Sequence, residues 1–254
     1  MKKWLRNTLI VVAILIIGLF TANAIRQGIP RFRGQGFGPS SEKTLNENPF
    51  IVANPLDLTQ IKALSKFRSC VGHNYSGRNT AGEKEINRSM KHYIEPLTAL
   101  AETSQQVKIF APFDGKIEEV RHESRGSQVH IQPINASSGW RFIFFHVDLL
   151  PQFNQEGTSV TGGQHIGYGN LVQGHNFDIG LKHFSFNGQI FASPFQYMTE
   201  TVLAQYAAVD ITPDTIITTK AERDASPCRI QPGSSGRDAF FVSTQNSTDW
   251  VELH

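Results

Sequence analysis

Apolar residues recur in short runs along the middle of the chain, and most of these runs alternate. In NFDIGL (176–181), Phe177, Ile179 and Leu181 share one face while Asn176, Asp178 and Gly180 share the other, which predicts a half-buried strand. VKIFAPFDGKIEEV (107–120) predicts a strand, a Pro-Phe-Asp-Gly turn and a second strand. SQVHIQPI (127–134) alternates again, WRFIFFHVDLL (140–150) is a continuous apolar run of strand length, and EGTSVTGGQHIGYGN (156–170) reads as short strands broken by glycines. Closely spaced strands with no helical pattern between them predict a mainly β fold, an antiparallel β-sandwich or barrel-sandwich hybrid core.

Short helices are predicted at both ends of this core. Leu58, Ile61, Leu64 and Phe67 fall at helical spacing within 57–68, with Asp57 or Thr59 as the cap. Phe195, Met198, Val202 and Tyr206 repeat the spacing after Ser193 and Pro194, and Thr212–Pro213 is a further helix start. Residues 71–105 are polar and punctuated by glycine, so a long loop is expected there. The tail predicts a loop and a closing strand.

The first 24 residues change the compartment. Lys2, Lys3 and Arg6 precede an apolar run from Leu9 to Phe20, and Ala22–Ala24 has the A-x-A form, the grammar of a secretory signal peptide. An uncleaved membrane anchor fits the same residues, and either reading exports the rest of the chain to a periplasmic or extracellular location. Membrane contact is then confined to residues 1–24 if they are retained. Residues 25–56, rich in Gly, Pro and polar side chains, read as a flexible tether. An N-terminal helix and loop (57–105), a β core (106–193) and a helical C-terminal extension (194–254) follow. Export favours a disulfide between the two cysteines, Cys70 and Cys228. The net charge of +2 carries no nucleic-acid footprint.

Several motifs, in order, resemble the lysostaphin-type, LytM-like zinc endopeptidases that cut peptidoglycan cross-bridges. VKIFAPFDGKIEEV is similar to the family's first hairpin. FIFFHVDLL resembles the strand ending Tyr-x-His-Leu, and EGTSVTGGQHIGYGN resembles its Gly-x-x-Val-x-x-Gly-Gln-x-Ile-Gly hairpin. NFDIGL falls where the family has His-x-His-Phe-Glu. The resemblance covers roughly residues 106–192.

The resemblance implies zinc held by a His and an Asp of a His-x-x-x-Asp segment and by the second His of His-x-His, with water in the fourth place. It places a catalytic candidate at His146, expected to share a strand face with Phe142, Phe144 and Asp148. The His-x-His pair becomes Asn176 and Asp178, groove residues of which only Asp ligates zinc well. For His-x-x-x-Asp, HNYSG begins with His73 but has Gly77 at the Asp position. KHYIEPL aligns Glu95 with the Asp and thereby puts Lys91, not His92, at the histidine position. His73, His92, Glu95 and Asp178 are the remaining candidate ligands.

With the standard ligand set broken, the expected cofactor is none, or zinc if the protein is active. Three readings stay open: an exported non-catalytic module that binds peptidoglycan, a peptide or an envelope protein in the old substrate groove; a zinc endopeptidase with rearranged ligands; and a structural envelope protein.

Overall fold

The computed structural model describes residues 48–254 apart from 175, 187, 237 and 243–246. The expected signal or anchor and the tether up to residue 47 lie outside the described residues. Among the described residues eleven strands form one antiparallel sheet that does not close into a barrel. They are β1 (Ile61–Ser65), β2 (His92–Pro96), β3 (Lys108–Phe110), β4 (Gly115–His122), β5 (Ser127–Pro133), β6 (Trp140–Leu149), β7 (Ser159–Val160), β8 (His165–Gly169), β9 (Phe177–Ser185), β10 (Gly188–Ala192) and β11 (Trp250–Glu252). The main path runs β11-β1-β2-β9-β6-β5-β4-β7, with β10 on β9 and β8 bridging β3 and β6.

The mainly β expectation holds, and the details depart from it in four places. Residues 57–68 are not a helix. Asp57 caps a single 3-10 turn, Leu58–Gln60, by accepting from the Thr59 amide, and the chain then enters β1. Most of β1 is buried, so its apolar positions do not alternate and happen to fall at helical spacing. The expected loop 71–105 contains β2, which pairs with β1 on one side and β9 on the other. The tether is already packed at its end: Phe50, Ile51 and Leu56 are buried in the core. Finally, β9 is buried on both faces, Asp178 included.

The core fills the side of the sheet opposite the groove described below. Phe142, Phe144, Phe177, Ile179 and Leu181 converge there, and Trp140 stacks with Phe50 and Tyr197 at 5.6 and 4.6 Å between ring centres. The C-terminal extension continues from this core. Ser193 forms a capping box over the turn Pro194–Gln196, and three short helices follow, α1 (Glu200–Ala207), α2 (Pro213–Ile216) and α3 (Lys220–Ala225). The chain ends as β11 on the edge of β1, the closing strand expected from the tail.

A Cys70–Cys228 disulfide ties this extension to the start of the sheet across 158 residues. Closing a loop of that length removes unfolded-chain entropy equivalent to about 5 kcal/mol in the chain-entropy model. Arg223, at the end of α3, reinforces the joint through Asp249, 2.6 Å away and also buried.

Candidate functional site

A row of side chains crosses three strands on the groove side of the sheet. Asp178 of β9 lies opposite Tyr93 of β2 and opposite Phe145 of β6. Lys91 precedes Tyr93 by two residues, so strand alternation puts both on the same face. These residues line a groove of about 1070 Å³ together with His73, Tyr75, Glu119, Arg121, Arg125, His130, His146 and Asn176.

At the centre of the row the ammonium of Lys91 lies 2.5 Å from an Asp178 carboxylate oxygen, and both side chains are buried. The contact is one of opposite charges, and neither Asp178 oxygen has a further hydrogen-bond partner. The ammonium also sits over the rings of Tyr75, Tyr93 and Phe145 at 4.9, 4.7 and 4.6 Å. Burial alone would lower the Lys91 pKa; the Asp178 carboxylate outweighs it, and the net direction is upward, so Lys91 stays charged.

His73 completes the cluster, with Nε2 3.2 Å from Lys91 Nζ. Its Nδ1 lies 3.2 Å from the Asn74 carbonyl, which fixes the proton on Nδ1 and leaves Nε2 to accept from the ammonium. Burial, and then the Lys91 charge, lower the His73 pKa and keep the ring neutral. The loop reaches this position because Gly72 adopts φ +70° directly against Tyr93, where a Cβ would meet the ring hydroxyl at 2.1 Å.

His146 stands at the upper rim. Up to Phe145, β6 pairs with β9; from Val147 it pairs with β8. The residue between makes the switch with φ +57°, a left-handed conformation that a non-glycine residue holds at a cost of about 1–3 kcal/mol. The switch breaks the alternation, which corrects the expected shared face: Phe142 and Phe144 enter the core, whereas Phe145 and His146 both line the groove. His146 Nδ1 lies 3.3 Å from Glu123 and 3.4 Å from the Arg125 carbonyl. At the other end, His130 lies 3.1 Å from Glu119, and burial lowers its pKa to about 4.

The four candidate ligands do not converge. His73 and Asp178 face the groove, each against Lys91. His92 points into the opposite layer, where Nδ1 meets the Ser65 carbonyl and Nε2 the Ser193 hydroxyl, each at 2.8 Å. Glu95 pairs with Lys62 at 2.9 Å and lines a separate cleft of about 1060 Å³. Asn176 borders both hollows. Among the described residues no three His, Cys, Asp or Glu side chains group as metal ligands.

These residues do not fit a zinc ion. The two donors that face the groove both contact one ammonium, and a dication between them would meet that fixed positive charge at close range. The alignment of Lys91 with a ligand histidine was visible in the sequence. Its contact with Asp178 was not, and neither were the contributions of Tyr75, Tyr93, Arg125 and His130. The one available signal was the alternation of Lys91 and Tyr93.

No family model and no curated protein matches the chain. Among solved structures, Csd3 of Helicobacter pylori is 16% identical over 63% of this chain and 40% of its own, with a TM-score of 0.37. A zinc-containing peptidase of Vibrio cholerae is 15% identical over 57% of this chain and 38% of its own, with a TM-score of 0.34. The catalytic domain of the prophage-encoded M23 protein EnpA of Enterococcus faecalis is 18% identical over 50% of this chain and 95% of its own, with a TM-score of 0.32. This chain therefore spans about two fifths of the length of the first two. The likenesses fall among LytM-like and M23 peptidases and concern fold; at these scores they carry no argument about activity.

Proposed function

We propose that this is an exported cell-envelope protein that uses a LytM-like groove for binding rather than catalysis, with peptidoglycan or a peptide as the ligand. The observation that carries the reading is the Lys91–Asp178 pair. By the motif resemblance, Lys91 stands at a ligand histidine and Asp178 at the second histidine of His-x-His. A charge fixed to the chain thus holds the positions where the family would place metal ligands. What remains is a groove with aromatic walls and fixed charges of both signs, which suits recognition of a chain carrying amides and ionic groups. The disulfide supports export to an oxidising compartment.

The test is co-sedimentation of the full chain with purified peptidoglycan sacculi, combined with analysis of the supernatant for released peptides. The reading expects the protein in the pellet and no cleavage products. Release of cross-bridge fragments that stops on adding a chelator would establish the rearranged zinc endopeptidase instead.

A further inference from the structure

Four polar atoms buried in the groove lack a hydrogen-bond partner, namely Tyr75 Oη, the two Asp178 carboxylate oxygens and Arg125 Nη1. Three of the four acids lining the groove are engaged within it, and the fourth, Asp238, is exposed. Asp178 faces Lys91, Glu119 takes Arg121 at 2.7 Å and His130 at 3.1 Å, Glu123 takes His146 at 3.3 Å, and Asp238 faces His73 at 3.8 Å. Arg125 is half-buried on the groove wall, with its Nη1 buried and without an acceptor. Such a group is costly unless something satisfies it.

Its position is built rather than incidental. Arg125 lies at the tip of the β4–β5 hairpin, closed by a hydrogen bond from the Glu123 amide to the Gly126 carbonyl. Gly126, at φ +61°, lets the tip rest on β6, since a Cβ there would meet the Val147 backbone at 2.9 Å. This seats Arg125 beside His146, at the strand switch on the groove rim.

We infer that Arg125 anchors a free carboxylate of the groove ligand, so that the groove takes the C-terminal end of a peptide rather than the middle of one. The inference rests on the peptide-binding reading above. A planar carboxylate matches the guanidinium fork. A phosphate dianion would be repelled about twice as strongly as a carboxylate monoanion by Glu119, Glu123 and Asp238, which line the same groove.

The test is calorimetric titration of the full chain with two probes, tetra-alanine with a free carboxylate and its C-terminal amide. The native protein is expected to bind the free acid about 10- to 100-fold more tightly, the worth of one charge-assisted hydrogen bond. Arg125→Gln is expected to lose that preference and Arg125→Lys to keep part of it, with unchanged unfolding midpoints showing that both variants fold. Equal binding of the two probes, no binding of either, retention of the preference in Arg125→Gln, or displacement of the acid by equimolar inorganic phosphate would each overturn the inference. Native protein that sediments with sacculi yet ignores the carboxylate would sink this inference alone, whereas failure to sediment counts against the binding reading.

Discussion

Lys91, just before β2, and Asp178, on β9, meet at 2.5 Å in a buried setting, with the rings of Tyr75, Tyr93 and Phe145 about the ammonium. Among the described residues neither partner has a second opposite charge at contact distance. Each is therefore needed to keep the other from being an isolated buried ion, which is far more costly than the pair itself.

A double-mutant cycle measures this dependence. Lys91→Met and Asp178→Leu are each expected to lower the unfolding free energy by about 3–5 kcal/mol, because each strands its partner. The double variant is expected to cost less than either single change, since two apolar side chains fill the space without a charge. Urea unfolding decides it, and additive losses would show that the pair does not act as a unit.

His92 governs the acid limb. Burial lowers its pKa from 6.5 to about 4, and both its nitrogens are already bonded inside the fold. The unfolded chain binds a proton on this ring at higher pH than the folded chain does. Stability therefore falls as pH drops from about 6.5 and levels off below about 4, a loss of about 3 kcal/mol. His130, lowered to about 4 as well, adds to the same limb. Unfolding midpoints measured at intervals from pH 7 to pH 4 should show a shallower slope in His92→Asn than in the native protein; an equal slope would contradict the assignment.

His146 pays for its strand switch with a left-handed backbone. His146→Gly is expected to be more stable than His146→Ala by about 1 kcal/mol, because glycine adopts the same φ without strain. Denaturant midpoints of the two variants give the difference directly. An alanine variant equal to or more stable than glycine would mean that the site holds no such strain.

The sequence made some of this legible and hid the rest for physical reasons. Alternation exposed β9 because Phe177, Ile179 and Leu181 all enter one core. It failed for β1, where Ile61, Ala63, Leu64 and Ser65 are all buried and only Lys62 is exposed. It failed again for β2, whose polar residues sit inside the protein: His92 is satisfied by Ser65 and Ser193, and Lys91 just before the strand by Asp178. A buried polar residue with a distant partner looks like a loop residue until the partner is in place. The disulfide was readable from two cysteines and a compartment. The groove was readable as a damaged metal site, but the ion pair joins residues 87 positions apart, and nothing local in either segment announces the other.

The most direct measurement is the metal content of the purified protein, taken with and without prior chelation, for the native chain and for Asp178→Ala. If the Lys91–Asp178 pair holds the ligand positions, zinc stays well below one ion per chain in both proteins and is indifferent to the substitution. One zinc per native chain, lost in Asp178→Ala, would contradict the account and make Asp178 a ligand.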